Sequence, residues 1–290
     1  MSAAQLRTYP EISLDELPRY SEWPGRLLAI EHEPVRLKTQ HEVLREFDRD
    51  KWGELLGQAR RDPGFDLQAA EAWEINPETV VPFYDAGRLL LAPFRHVLER
   101  HLELFVEVLG AFANDASALV ELGAGFGSKI LRLGAMPPFT QIPLHAAELT
   151  ANGRALIELL AARAGRQIHV SACDFREGTL ESTNIPPDAI VFTSFAVHYV
   201  PELAAKFVKF IADLKPRVVV HFEPCMEHKK PDSLHELMCR SYILRNDYNR
   251  NLVSLLETAA RGGSARILAV RRNVMGGNPL LPLSVIVWQP

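Results

Sequence analysis

The sequence predicts an α/β protein with a doubly wound, mostly parallel sheet of seven strands and an antiparallel terminal strand, preceded by an N-terminal helical cap. Three observations support this fold class. Short apolar runs rich in β-formers alternate with helical segments after residue 114. A glycine-rich turn follows the first of these runs. The last two runs are joined by the turn-rich segment 275–279, which predicts a closing hairpin.

Composition limits the classes of protein to consider. The chain has 290 residues, of which 47% are hydrophobic and 23% charged, with a net charge of −4. This composition supports one large domain, or a domain with an appended segment, and excludes a disordered chain. No apolar run reaches the roughly 18 residues of a membrane-spanning helix, so we expect no membrane partner. Without a long Lys/Arg block, we also expect no nucleic-acid partner.

The cysteines and the N-terminus bear on localisation. Three cysteines, Cys173, Cys225 and Cys239, are an odd number in a long chain, which favours a reducing compartment over a disulfide framework. Residues 1–24 mix charges and prolines and contain no apolar core of a secretory signal. We therefore expect a cytoplasmic protein, and the sequence leaves a homodimer possible.

The first part of the chain, residues 1–113, is predicted to be a helical cap or substrate lid. Apolar residues at helical spacing predict a helix over 37–61, which the breaker Asp62-Pro63-Gly64 ends. A second helix is predicted over 85–112, with Pro93 marking its start or a kink. Residues 76–84, between these helices, are predicted to be a loop with a short extended piece.

The second part, residues 114–290, is predicted to be the ligand-binding domain. Four helices are predicted here. The first begins at Ser128, the second is capped by Thr150 and closed by Gly165, the third spans 201–214, and the fourth begins after a cap at Asp232 or Ser233. Seven apolar runs of strand length are predicted to form the sheet: 118–122, 142–149, 168–173, 189–194, 217–222, 265–273 and 283–288.

The glycine-rich turn is the most informative motif. Gly123, Gly125 and Gly127 follow the first strand and precede the helix at Ser128, with Glu121 two residues before the first glycine. Glycines permit a tight turn and close approach of a ligand to the backbone, and the helix start offers free N–H groups. The third glycine of the dinucleotide fingerprint is absent, because Ser128 stands in its place.

This Glu-x-Gly-x-Gly-x-Gly string resembles motif I of the class I S-adenosylmethionine-dependent methyltransferases. The resemblance implies that Glu148, at the end of the second strand, binds the ribose hydroxyls. It implies that Asp174 reaches the adenine amino group while Phe175 lies against the ring. The segment 188–199, which contains Ser194, resembles the segment that follows strand 4 in this family. The cofactor implied is S-adenosylmethionine, with S-adenosylhomocysteine as product.

The methyl acceptor implied is oxygen or nitrogen of a small molecule, in specialised metabolism. The tetrapeptide of the adenine- and glutamine-amide methyltransferases is absent, and the paired-glutamate loop of the protein-arginine methyltransferases is not recognisable. Candidate catalytic groups lie after strands 4 and 5, because ligands bind at the carboxyl ends of parallel strands. They are His198, a base near neutral pH, and His221 and Glu223, two residues apart on one strand face. Tyr84 and Arg88 are candidates to close over the methionine carboxylate.

Three alternatives stay open. Glu148 also lies about 20 residues after the turn, as in a nicotinamide-dependent oxidoreductase. A catalytically inactive cofactor-binding relative, acting as a regulator, would share every motif. Cys225, His228, His235 and Cys239 are of ligand types that suit a metal. We predict no metal site, because a Cys or His on a helix face is commonly part of the core or the surface.

Overall fold

The computed structural model describes residues 8–29, 39–181 and 185–290. The strands are β1 (Glu11–Ile12), β2 (Val80–Asp85), β3 (Arg88–Pro93), β4 (Leu119–Leu122), β5 (Leu144–Ala147), β6 (His169–Ser171), β7 (Cys173–Asp174), β8 (Thr179–Leu180), β9 (Ile190–Ser194), β10 (Val218–Glu223), β11 (Arg266–Gly276) and β12 (Leu283–Gln289). The helices are α1 (Trp23–Ala29), α2 (Gln40–Leu44), α3 (Glu54–Arg61), α4 (Leu67–Glu71), α5 (Phe94–Gly110), α6 (Ser128–Gly134), α7 (Ala151–Arg163), α8 (Lys206–Ala212), α9 (Leu234–Arg245) and α10 (Leu252–Arg261).

All strands except β7 and β8 belong to one sheet, in the order β1-β3-β2-β11-β12-β10-β9-β4-β5-β6. Strands β6, β5, β4, β9 and β10 run parallel to one another, and β12 runs antiparallel to both β10 and β11. The mixed α/β class, the mostly parallel centre and the reversed terminal strand are therefore confirmed. Each of the seven predicted runs supplies a strand to this part of the sheet.

The predicted strand number was too low, because the described residues form a sheet of ten strands. Three strands come from the N-terminal part, where β2 and β3 form a hairpin and β2 pairs with β11. Ala86 and Gly87 lie at the hairpin turn with φ of 48° and 91°. Two successive positive φ angles are typical of the tight turn that matches the twist of paired strands. The segment before Phe94 is therefore extended, and the predicted helix begins at Phe94, directly after Pro93.

The helix predicted over 37–61 is present from Gln40 to Arg61 as one continuous helical run, and residues 37–38 lie outside the described residues. Thr39 and Glu42 form a capping box at its start, with each side chain accepting a backbone N–H of the other residue. The central stretch, Arg45–Gly53, is a π-helix between α2 and α3. Such stretches are rare and are frequent at functional sites.

The sheet has apolar side chains packed on both faces. Phe105, Phe192 and Phe222 belong to the core on one face, and Phe207 and Trp288 belong to the core on the other. Burial on both faces explains why the central strands are nearly continuous apolar runs. The polar groups at the carboxyl ends of β4, β5, β9 and β10 then define where a ligand can bind.

Helices α9 and α10 bear on the sequence predictions for the C-terminal part. Helix α9 is capped by Ser233, whose hydroxyl accepts the N–H of Glu236 at 3.2 Å, so Ser233 and not Asp232 is the cap. Helix α10 was not predicted.

None of the helices in the described residues combines the length and apolar character needed to cross a bilayer.

Candidate functional site

The glycine-rich turn joins β4 to α6 in a left-handed backbone conformation. Gly123, Gly125 and Gly127 have φ of 75°, 58° and 80°. A Cβ at Gly123 would lie 2.4 Å from Cβ of Ala196, so a side chain has no room there. A Cβ at Gly125 would lie 3.3 Å from Cζ2 of Trp52. The turn therefore requires glycine, both for its backbone angles and for the close approach of its neighbours.

A cavity of about 280 Å³ lies over this turn, at the carboxyl ends of β4, β5 and β9. Its volume is close to the lower end of the range of about 300–1,000 Å³ for small-molecule sites. Six residues predicted to bind the cofactor line this cavity: Gly123, Gly125, Glu148, Asp174, Phe175 and Ser194. The structure thus brings together residues that are up to 71 positions apart in the sequence (123 to 194).

Glu148 connects the second parallel strand to the glycine turn. Its Oε2 accepts the N–H of Gly125 at 2.8 Å, and its Oε1 accepts the N–H and the hydroxyl of Thr150 at 3.0 and 2.7 Å. Burial raises the pKa of Glu148, while the bonds from Thr150 and Gly125 act in the opposite direction. Thr150 thus orients the carboxylate instead of capping α7 with its side chain.

Glu121 lies beneath the turn and has no exposed surface. Its Oε2 accepts the N–H of Ile130 in the first turn of α6 at 3.1 Å, and Lys129 Nζ lies 4.0 Å from Oε1. Within the described residues, Oε1 has no hydrogen-bond partner. Burial raises the pKa of Glu121 to about 7, although Lys129 and the N–H of Ile130 favour the ionised form. A buried carboxyl that titrates near neutral pH responds strongly to a positive charge placed in the cavity.

Asp174, Phe175 and Ser194 form a second part of the cavity wall. Asp174 Oδ1 accepts the N–H of Arg176 at 2.8 Å, which fixes the turn after β7. The Phe175 ring packs edge-on against Phe207, with centroids 5.9 Å apart. Ser194 is buried, and its hydroxyl has no hydrogen-bond partner among the residues that the structure describes. An unpartnered buried hydroxyl in a cavity wall indicates a place where a ligand supplies the hydrogen bond.

Aromatic side chains from the N-terminal part cover the cavity. The π-helical stretch contributes Phe47 and Trp52, which contact Tyr199 and Phe126 with ring centroids 4.8 and 5.3 Å apart. Asp48, on the same stretch, accepts the backbone N–H of Asn152 at 2.8 Å and so ties it to α7. The sequence did not identify this cover, because Phe47 and Trp52 fitted equally well to the core face of a helix.

A second cavity, of about 650 Å³, adjoins the first. Its walls come from α3, α4 and α5 and from the start of α6. Six residues line both cavities: Trp52, Glu74, Phe126, Ser128, Lys129 and Phe195. A molecule in the second cavity therefore lies next to a ligand held by the glycine turn.

Phe195 occupies this junction in a strained backbone conformation, with φ of 49°. A positive φ is uncommon for a bulky residue and costs of order 1–3 kcal/mol, which the surrounding contacts must offset. Glu223 supplies those contacts, because its carboxylate accepts the N–H groups of Ala196, Val197 and His198 at 3.0–3.3 Å. Burial alone raises the pKa of Glu223, but His198 and the N–H groups outweigh burial and lower it.

The surroundings of the three residues predicted to be catalytic differ from those of the cavity walls. Glu223 holds the turn after β9, and His198, with Nδ1 3.5 Å from Glu223 Oε2, is 2% exposed and lines neither cavity. His221 lies inside the sheet, where Trp288 Nε1 donates to its Nε2 at 3.0 Å and its Nδ1 lies 3.0 Å from the Thr193 hydroxyl. Burial lowers the pKa of His221 to about 4, so its ring is neutral at neutral pH.

Tyr84, predicted to close over the cofactor, lies outside the cavity over the glycine turn. Tyr84 lies on β2, and its ring stacks on His235 with centroids 5.2 Å apart, in a different cavity that Arg88 also lines. The hairpin places both side chains away from the glycine turn. In the same region, His228 Nδ1 lies 2.9 Å from the Ser284 hydroxyl, and Cys225 Sγ donates to the carbonyl of Glu223. Across the described residues, no group of three or more His, Cys, Asp or Glu side chains is arranged to hold a metal.

Comparison with known proteins gave structural similarities only. No family model and no curated protein sequence matches the chain. Among solved structures, one described as PigF with SAH is 18% identical, with a TM-score of 0.43, over 94% of this chain and 74% of that chain. Magnesium protoporphyrin IX methyltransferase from Synechocystis PCC 6803 with bound SAH is 9% identical, with a TM-score of 0.47, over 68% of this chain and 86% of that chain.

A third solved structure, the mitomycin 7-O-methyltransferase MmcR, is 14% identical, with a TM-score of 0.43, over 82% of this chain and 67% of that chain. Of these three solved structures, two are described as methyltransferases and two contain SAH. The chain's own fold is a mostly parallel α/β sheet with the reversed strand β12 and a glycine turn after β4.

Proposed function

We propose that this protein is an enzyme that transfers a methyl group from S-adenosylmethionine to oxygen or nitrogen of a small molecule. The observation that carries the proposal is the cavity over the glycine turn. Two glycines with positive φ, a buried carboxylate bonded to Gly125 N–H, and the unpartnered Ser194 hydroxyl meet there. These features fit a ligand with hydroxyl groups and positive charge, as S-adenosylmethionine has.

Each wall residue has a role in this proposal. Glu148 binds the ribose hydroxyls through the free lone pairs of its two oxygens, and Asp174 accepts the adenine amino group. Phe175 packs on the adenine ring, and Ser194 donates to the ligand. Beneath the wall, Glu121 favours positive charge above the turn, since it is a buried carboxyl whose ion-pair partner among the described residues is Lys129. When bound, the cofactor supplies an electrophilic methyl group on sulfur.

The N-terminal residues 1–113 act as the lid and acceptor-binding part in this proposal. Phe47 and Trp52 exclude water from the cofactor cavity, which keeps the methyl group from reacting with solvent. Helix α5 and the segment around α4 form most of the second cavity. Since transfer needs the acceptor atom aligned with the methyl carbon, the shared wall residues set that alignment.

A thermal-shift experiment tests the choice of cofactor. We expect S-adenosylhomocysteine at about 100 times its dissociation constant to stabilise the folded chain by about 2.7 kcal/mol. NAD is expected to leave the melting temperature unchanged. Stabilisation by NAD alone would instead support a nicotinamide-dependent oxidoreductase.

A screen of candidate acceptors tests turnover. The chain is incubated with S-adenosylmethionine and each acceptor, and mass spectrometry records a gain of one CH₂ group on the acceptor. The expected result is at least one acceptor that gains this mass only when the intact protein is present. Tight cofactor binding with no acceptor modified across chemical classes would favour the inactive regulatory relative.

The raised pKa of Glu121 predicts a pH-dependent preference for the positively charged cofactor. As the pH rises through about 7, Glu121 ionises, and a negative charge under the turn favours the sulfonium over the neutral thioether of the product. The ratio of the dissociation constants of S-adenosylhomocysteine and S-adenosylmethionine is therefore expected to increase from pH 5.5 to 8.5. Both ligands carry the same ammonium group, so its interaction with Glu121 affects both dissociation constants alike and leaves their ratio unchanged.

Calorimetric titrations at several pH values measure the effect. Glu121→Gln is the matched variant, since it keeps the shape of the side chain and removes the ionisation. Its ratio is expected to stay flat over the same pH range. An equal pH dependence in the wild type and in Glu121→Gln would exclude Glu121 as the cause.

A further inference from the structure

The second cavity has a wall with many large apolar side chains. Nine of its residues are aromatic or leucine, and they give it broad apolar sides: Trp52, Leu55, Trp73, Phe94, Leu98, Leu102, Phe105, Phe126 and Phe195. Such walls favour a flat ring system, because aromatic groups gain from stacked and edge-to-face contacts beyond simple burial. The volume of about 650 Å³ is sufficient for a drug-sized molecule.

The charged residues of this wall are paired. Glu71 pairs with Arg132, Arg95 with Glu78, and Glu74 with Lys51 at 3.0 Å. Lys129 faces Glu121, and Glu99 also has an interaction partner. The described wall therefore presents no unbalanced charge to a ligand. An ionic ligand would enter without a counter-charge and would lose its hydration, which disfavours it.

His101 is the exception among the polar groups of the wall. One ring nitrogen is hydrogen-bonded to the backbone of Val97, one helical turn earlier on α5. The other nitrogen, Nε2, has no hydrogen-bond partner in the described part of the chain. The ring lies beside Phe195, with centroids 6.0 Å apart, and therefore next to the junction with the cofactor cavity.

We propose that this cavity is the methyl-acceptor site, that it takes an uncharged flat aromatic molecule, and that His101 Nε2 accepts a hydrogen bond from the hydroxyl or N–H group to be methylated. The inference rests on the proposed function, since the acceptor group must face the glycine-turn cavity across Phe195. Burial and nearby Lys129 lower the pKa of His101 to about 4. The ring is therefore neutral at neutral pH and keeps the lone pair that a donor requires.

Equilibrium dialysis with β-naphthol and its methyl ether tests the proposal. The two probes share a flat apolar ring, and only β-naphthol has a hydrogen to donate. The full chain is dialysed against each probe, with and without S-adenosylhomocysteine. The ratio of the two affinities is expected to be about tenfold higher in the wild type than in His101→Phe, which matches one hydrogen bond of about 1.4 kcal/mol. The methyl ether is expected to bind both proteins.

Two further variants separate the possible outcomes. His96→Phe changes another histidine of α5 that does not line the cavity, and is expected to retain the wild-type ratio. Leu98→Trp fills the cavity and is expected to weaken both probes at least about tenfold, while S-adenosylhomocysteine binds as before. The same ratio in His101→Phe and the wild type, or undiminished probe binding in Leu98→Trp, would overturn the inference. Failure of S-adenosylhomocysteine to bind the wild type would overturn the proposed function instead.

Discussion

Gly125→Val is expected to weaken the binding of S-adenosylhomocysteine at least about a hundredfold, equivalent to about 2.7 kcal/mol. The glycine has φ of 58°, and a Cβ there already lies 3.3 Å from Trp52 Cζ2. The two methyl groups of valine would extend into the cavity or displace Trp52, which covers it. The altered turn would also move the N–H that Glu148 accepts at 2.8 Å, so the carboxylate would lose its position.

A matched glycine separates this effect from backbone strain. Gly165, which follows α7, has φ of 63°, and a Cβ placed there would have no neighbouring atom within 4 Å. It lines none of the cavities described above. Gly165→Val therefore carries the same strain of about 1–2 kcal/mol without touching the site. We expect both variants to melt earlier than the wild type, and only Gly125→Val to lose binding.

Isothermal calorimetry on both variants measures the affinities, and circular dichroism checks that each is folded. A folded Gly125→Val protein with wild-type affinity would show that the ligand does not lie over this turn. Equal loss of affinity in both variants would show that strain, and not occupation of the cavity, is responsible.

The central strands of the sheet were predictable because each strand's own sequence indicates its structure. Each central strand is buried on both faces, so its sequence is a short apolar run bounded by turn residues, as at Ile190–Ser194. The glycine turn was predictable for a related reason. Its backbone angles exclude other residues, so the requirement is visible in the sequence itself.

The additional strands and the role of Tyr84 were not predictable in the same way. Val80–Asp85 and Arg88–Pro93 are stabilised by pairing with each other and with β11, which lies almost 200 residues later in the chain (85 to 275). Their apolar residues are equally compatible with a helix that continues through Phe94. Only the Ala86-Gly87 turn distinguishes the two, and its signal is local and weak.

The surroundings of the predicted catalytic residues were not predictable for a different reason. His221 and Glu223 do share a strand face, as their spacing requires, but that face lies against other protein groups. Spacing along a strand shows which residues lie together and does not show what covers them. His101 is not part of a recognisable motif, because the packing of α5 against α6 places it beside the cavity.

Glu223→Ala is expected to lower the free energy of unfolding by at least about 3 kcal/mol, since each buried donor left unpaired costs about 1–3 kcal/mol. The substitution removes the acceptor of three backbone N–H groups, at Ala196, Val197 and His198. Those groups hold Phe195 at φ of 49° between the two cavities. We therefore expect acceptor binding to weaken as well, while Glu148 and Asp174 keep part of the cofactor affinity.

The pH dependence of this effect follows from the lowered pKa of Glu223. A carboxyl with a lower pKa in the folded state contributes its stability above the ordinary glutamate pKa, and loses it as the pH falls through the folded value. The difference in the free energy of unfolding between wild type and Glu223→Ala is therefore expected to be largest near pH 7 and to decrease at acidic pH. Urea denaturation across this pH range measures the difference.

Glu227→Ala is the matched control for Glu223→Ala. Glu227 follows the same strand, is exposed, and accepts the backbone N–H of Ser254 at 3.0 Å, with further hydrogen bonds to the Ser254 side chain and the Val253 backbone. Removing these exposed contacts is expected to cost about 1 kcal/mol. If both variants lost the same stability, or if Glu223→Ala were as stable as the wild type at pH 7, the carboxylate of Glu223 would not be what maintains the strained turn at Phe195.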